Sequence, residues 1–119
     1  MYAKSFKELI VWQKSIQLVK AIYQTTEQFP KSEIYGLASQ MRRAAVSIPS
    51  NIAEGYKRKS RLEFLHFLSI AEASAAELET QIIIAKELYP IALDGVAEQL
   101  LTEVQKILVI FIRKLNAKR

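Results

Sequence analysis

The apolar residues of this chain return at steps of three and four along four stretches. In the first, Leu9, Trp12, Ile16, Val19 and Tyr23 share one face of a helix. Phe29-Pro30 stops it, because the residue before a proline is pushed out of the helical region. Ser32 is placed to cap a second helix, which carries Ile34, Leu37, Met41, Ala45, Ile48 and Ile52 and ends near Gly55. The third opens on Ser60-Arg61-Leu62-Glu63, a capping-box pattern in which Ser60 and Glu63 each accept the other's free backbone N–H. Phe64, Leu68, Ala71, Ala75, Leu78, Ile82, Ala85 and Tyr89 then alternate steps of four and three, with alanines that let a neighbouring helix come close. Tyr89-Pro90 ends this helix, Asp94-Gly95 turns the chain, and Val96, Leu100, Val104, Ile107, Phe111 and Leu115 define a fourth. The pattern predicts an all-α fold, an antiparallel up-and-down four-helix bundle forming one domain over residues 1–119.

Pro49 sits inside the second helix, where a missing N–H and a ring clash with the carbonyl four residues back cost about 3 kcal/mol. A kink or short break is expected there. Arg43, Ser47, Ser50, Asn51 and Glu54 run beside it at helical spacing, a polar line through an apolar background. Buried between helices or subunits, such a line fixes register. Glu54 and Arg58 are four residues apart and suited to an ion pair.

Three helices are greasier than a single core requires. Leu108, Val109, Ile110 and Ile112 flank the stripe of the fourth; Ile10, Val11, Leu18 and Ile22 flank that of the first; Leu65, Phe67 and Ile70 flank that of the third. A lone protomer would leave part of this in water, so an oligomer is expected.

At 119 residues a single core can form without staples, and the chain has no cysteine to make disulfides or thiolate metal sites. Met1 to Phe6 lack an apolar core followed by a small-residue cleavage site, so no secretory signal is expected. The longest strong apolar run, Ile107 to Ile112, is far short of the ~20 residues that span a bilayer. These features predict a soluble cytoplasmic protein with no membrane partner.

Charge is sorted along the chain. Residues 1–61 hold eleven Lys or Arg against four Glu, a net of +7; residues 62–105 hold one Lys against eight acids, a net of −7; residues 106–119 add five cations and no acid. Such sorting suits either a polyanion on one face or complementary faces between subunits. The densest cluster is Lys57, Arg58, Lys59 and Arg61, where the start of the third helix adds its own positive dipole end. Arg42 and Arg43 lie about four turns back, and Lys114, Lys118 and Arg119 form a second cluster. With only Tyr56 as an aromatic neighbour, the loop favours backbone contacts over base stacking.

Two short motifs invite other chemistry. Glu63-x-x-His66 matches half of a di-iron ligand set, but with His66 as the only histidine the set cannot be completed within the chain, and no metal or other cofactor is expected. Arg61-x-x-x-x-His66 resembles the pair of small helical ribonucleases of the HEPN group, in which the histidine moves a proton and the arginine steadies phosphate charge. Leu62 stands where that group usually has a polar residue.

The chain resembles the four helix bundle protein family, also called 23S rRNA intervening-sequence proteins. The resemblance rests on Leu9-Ile10-Val11-Trp12-Gln13, Phe29-Pro30, Glu33-Ile34-Tyr35-Gly36-Leu37 and the long run from Gln40 to Gly55. It continues through Glu63-Phe64, Phe67-Leu68, Ile70-Ala71, Ser74 and Glu77-Leu78-Glu79-Thr80-Gln81, and is only generic beyond residue 90. It implies an up-and-down bundle that assembles as a homopentamer, and similarity to the accessory variability determinant of diversity-generating retroelements, which binds nucleic acid and a reverse transcriptase through basic surfaces. Many members lie inside intervening sequences of bacterial 23S rRNA genes. The family has no established enzymatic activity, so the resemblance implies no catalytic residue.

Together these readings predict a non-enzymatic oligomer that binds RNA or DNA backbone through Lys57, Arg58, Lys59 and Arg61, joined by Arg42 and Arg43. The alternatives are a protein-interaction scaffold without nucleic acid and a ribonuclease using Arg61 and His66.

Overall fold

The stop signals at Phe29-Pro30, at the glycine-terminated motif and at Tyr89-Pro90 divide the chain into the helices that its periodicity predicts. The computed structural model describes residues 4–118, so Met1–Ala3 and the predicted cation Arg119 lie outside the described residues. Its helices are α1 (Ile10–Thr26), α2 (Leu37–Tyr56), α3 (Arg61–Leu88) and α4 (Val96–Ala117), with no strand among the described residues. Short 3-10 turns at Phe6–Glu8, Lys31–Glu33 and Pro90–Ala92 precede α1, α2 and α4. Each helix packs on its sequence neighbours, and α1 closes against α4. Arg42 of α2 reaches Thr26 at the end of α1, Ser47 meets Ser74 across α2 and α3, and Phe64 near the start of α3 meets Phe111 late in α4. Consecutive helices therefore run antiparallel.

The α2–α3 pair follows the predicted stripes. Met41, Ala45, Ile48 and Ile52 of α2 and Leu68, Ala71, Ala75, Leu78, Ile82 and Ala85 of α3 are all in the core. Gly55 lets the two backbones meet, since a Cβ there would stand 2.6 Å from Cβ of Phe67. Pro49 is buried within an α2 that runs unbroken from Leu37 to Tyr56, so the chain makes no break there.

The start of α2 differs from expectation. Ser32 lies in the 3-10 turn and caps nothing; the carboxylate of Glu33 accepts from the N–H of Leu37 (2.9 Å) instead. Ile34, predicted in the core, is exposed ahead of the helix. At α3 the capping box is half formed: Ser60 accepts the N–H of Glu63 (3.1 Å), while the Glu63 carboxylate accepts from the Ser60 hydroxyl (3.2 Å) rather than from its backbone.

The stripes of α1 and α4 are rotated by about one residue from the predicted ones. The core of α1 is Val11, Ser15, Leu18, Ala21, Ile22 and Thr25; Trp12 and Val19 only flank it, and Tyr23 is exposed. Hydroxyls explain the error. Ser15 donates to the carbonyl of Trp12 (2.7 Å), as neighbouring Thr26 does to that of Ile22 (2.7 Å), so these polar side chains enter the interior satisfied. In α4 the core is Ala97, Leu101, Leu108 and the predicted Val104; the predicted Leu100, Ile107, Phe111 and Leu115 pack against it, and Val96 is exposed. Val11, Leu18, Ile22 and Leu108, which count as surplus in the sequence, are thus core residues. The surplus that remains outside includes Ile10, Val109 and Ile110.

Candidate nucleic-acid interface

Aromatic contacts fix where the cations go. Tyr56 at the end of α2 packs edge-on against Phe64 (centroids 6.0 Å), and Phe64 against Phe111 of α4 (5.4 Å). The basic loop between α2 and α3 is thereby held beside the last turns of α4, which carry exposed Lys114 and then Lys118. On the other side, Nζ of Lys57 lies 5.8 Å from the centroid of Phe6, in the N-terminal turn that carries Lys4 and Lys7. That turn is itself anchored: Ser5 accepts the N–H of Lys7 (3.1 Å), Phe6 packs edge-on against Trp12 (5.3 Å), and Gln13 donates to the carbonyl of Lys7 (2.8 Å). Lys4, Lys7, Tyr56 and Lys57 line a shallow groove of about 440 Å³ between the two segments. The sequence names the loop and the C-terminal lysines as separate clusters and misses Lys4 and Lys7; Phe6 beside them is the only signal that they would be held in place.

The loop cations are not equivalent. Arg58 donates to the Glu54 carboxylate (2.9 Å), as predicted, and its guanidinium lies over the Phe67 ring (4.8 Å). Among the described residues, Lys57, Lys59 and Arg61 form no ion pair. Arg61 is the first residue of α3, so its charge adds to that of the helix terminus.

Arg42 and Arg43 stand apart. Fifteen residues separate Arg42 from Lys57, about 22 Å along the helix axis. Nε of Arg42 donates to the Thr26 hydroxyl (2.8 Å) and its guanidinium covers the Tyr23 ring (4.5 Å), tying α2 to α1. Arg43 is exposed. It borders one groove of about 520 Å³ with Tyr23, Ile34, Tyr35 and Val46, and a smaller one with Gln40, Ser47, Ser74 and Glu77. Neither arginine belongs to the cationic end.

The predicted polar line splits in the same way. Ser47 and Ser74 share a hydrogen bond (2.8 Å), and the Asn51 amide donates to both the hydroxyl (2.9 Å) and the carbonyl (2.8 Å) of Ser47. These three form a polar pin in the α2–α3 seam, whereas Arg43, Ser50 and Glu54 face solvent.

The opposite end of the bundle carries carboxylates: Glu33, Glu87, Asp94 and Glu98, the last paired with Lys86. The Tyr89 hydroxyl donates to Glu33 (2.6 Å). That bond, reinforced by the Leu37 N–H, holds the Glu33 carboxyl below its ordinary pKa, and Glu33 in turn raises that of Tyr89. Among the described residues no three His, Asp or Glu are grouped to hold a metal ion, and Glu63 is engaged at its cap. Nor is any described helix long and apolar enough to cross a membrane.

The family model described as 23S rRNA-intervening sequence protein matches residues 7–113. No curated protein matches the chain.

Proposed function

The chain belongs to the 23S rRNA-intervening sequence protein family, and from that premise we propose that it is a non-catalytic, self-assembling bundle that holds RNA or DNA by the phosphate backbone at its cationic end. One observation carries the reading. Cations from three separated parts of the chain, Lys4 and Lys7, Lys57 to Arg61, and Lys114 with Lys118, meet at one end of the bundle. Flexible lysines at a helix start suit phosphates rather than base edges, and the aromatics among them, Phe6 and Tyr56, are each packed edge-on against another ring.

The test replaces Lys57, Lys59 and Arg61 with alanine, none of which is in the core. Binding to structured RNA or duplex DNA is then followed against salt. Each lost phosphate contact removes about 0.9 from the slope of log K on log[salt] for duplex, so the triple variant flattens it by up to about 2.7. An unchanged slope refutes the assignment.

The non-catalytic part is supported by Leu62, which stands exposed beside Arg61 where the ribonuclease pair usually has a polar residue. If His66→Ala abolishes an RNA cleavage that the purified protein performs, the ribonuclease reading replaces this one.

A further inference from the structure

Two chain reversals at the acidic end of the bundle use the same pair of residue types. Phe29-Pro30 lies between α1 and α2, and Tyr89-Pro90 between α3 and α4. The two aromatic rings meet at 5.2 Å between centroids, tilted by 40°. The Tyr89 hydroxyl donates to Glu33, which fixes that ring in place. Around the pair lies a groove of about 440 Å³. Phe29 and Ala92 are its buried part, while Pro30, Leu88, Tyr89 and Pro90 stand further out, Leu88 being 56% exposed. We propose that this groove takes a basic, proline-bearing segment of a partner protein in the extended polyproline conformation. The inference goes beyond the nucleic-acid reading and concerns the opposite end of the molecule.

The lining selects the backbone. A groove of aromatic and proline rings accepts a polyproline helix, whose shape is set before binding and whose rings pack on those faces. Pro30 and Pro90 have no N–H to donate, and the prolines of such a ligand have none to satisfy, so no donor is orphaned where ring meets ring. Gln28, an exposed residue of the same lining, supplies an amide donor for a ligand carbonyl. An amphipathic helix fits this surface less well. The lining comes from the turns that hold the two prolines, and not from a long channel that would receive side chains at i, i+4 and i+7.

Charge selects the residues around the prolines. Glu27 and Glu87 immediately precede the two lining segments, and both are exposed and in no ion pair among the described residues. Asp94 lies just beyond Ala92. Of the cations nearby, Lys31 adjoins Pro30 and Lys86 is neutralised by Glu98. The cationic end lies at the other end of a molecule 49 Å long. It repels a basic peptide and would draw an acidic one to itself. A basic segment therefore has one favourable end, and that end carries the groove.

Fluorescence anisotropy on the full chain tests the proposal with a labelled peptide carrying Pro-x-x-Pro between arginines. Saturable binding is expected. Changing the peptide's prolines to alanine, or its arginines to glutamate, is expected to weaken it about tenfold or more, the cost of a lost anchor. On the protein, Leu88→Ser and Glu87→Arg are each expected to weaken it by a similar factor. Both positions are exposed, and helicity by circular dichroism verifies folding. The alanine variant of Lys57, Lys59 and Arg61 is expected to bind the peptide as the wild type does; a loss there would place the peptide at the cationic end and overturn the proposal. So would the absence of saturable binding, binding indifferent to the peptide's prolines, or binding unchanged by both Leu88→Ser and Glu87→Arg.

Discussion

The α2–α3 seam and the α1–α4 side of the bundle are both built from apolar helix faces, yet they are limited in opposite ways. Between α2 and α3 the side chains at closest approach are small: Ala45, Gly55, Ala71, Ala75, and the Ser47–Ser74 contact. At Gly55 there is no room for a methyl group. Along α1 and α4 the largest core side chains are Leu18, Ile22, Leu101 and Leu108, inside broad apolar arcs that continue onto the surface. There the interior is set by how much is filled. One seam is intolerant of addition and the other of deletion, and substitutions can test that contrast.

The largest expected effect is deletion on the α1 side. Leu18 is fully buried, and Leu18→Ala should destabilise the bundle by about 2–5 kcal/mol, the range for an unfilled leucine cavity. Chemical denaturation at fixed protein concentration checks this. Val19→Ala, one residue along, should cost clearly less because Val19 only flanks the core. Equal costs would restore the stripe expected from the sequence.

Addition at the α2–α3 seam comes next. A single methyl at Gly55 meets Cβ of Phe67 at 2.6 Å, Phe64 Cδ1 at 3.0 Å and the Phe64 carbonyl oxygen at 3.3 Å. Gly55→Ala should cost about 1–3 kcal/mol, the usual range for overpacking, despite the better helix propensity of alanine. A neutral or stabilising result would mean that the seam yields.

These two regions also explain what could be read from the chain. The α2–α3 stripes were legible because small residues at steps of three and four leave one way to pack; every predicted core residue from Leu37 to Ala85 is buried or packed against the core. The α1 and α4 stripes were ambiguous because apolar residues cover too much of each circumference, and because Ser15 and Thr25 enter the core where hydropathy places an edge. The start of α2 departs from the sequence pattern for another reason: its cap is the Glu33 carboxylate four residues ahead of Leu37, outside the usual capping spacing. For the candidate interface, local charge density marked Lys57 to Arg61, but density along a sequence cannot show that Lys4 and Lys114 share that end while Arg42 does not. Only the antiparallel order of the helices brings residues so far apart together.

A smaller effect separates the polar pin from the packing around it. Asn51→Ala removes two donations to Ser47 but leaves Ser47 bonded to Ser74. A loss of about 0.5–1.5 kcal/mol is expected, that of one net hydrogen bond, with no change in helicity. If the pin sets the register of α2 on α3, the variant should also broaden the unfolding transition; a sharp transition with the same loss makes it a simple stabilising bond.

The smallest effect is the pH dependence of the contact that closes the same seam at its far end. Glu33 has its pKa lowered, first by the Tyr89 hydroxyl and then by the Leu37 N–H, so its contribution to stability is complete above the ordinary carboxylate range and is lost as pH falls through the lowered folded value. Tyr89 has its pKa raised by Glu33, so its contribution is complete below the ordinary tyrosine range and is lost as pH rises through the raised value. One hydrogen bond therefore shapes both the acid and the alkaline limb of the stability profile. Tyr89→Phe removes the hydroxyl and keeps the ring that packs on Phe29 at 5.2 Å. It should abolish the alkaline limb due to this pair and shift the acid limb only in part, because the Leu37 N–H still holds the carboxylate. An acid limb that vanishes altogether would mean that the cap at the start of α2 depends on the tyrosine, and that α2 is positioned from α3 rather than by its own first turn.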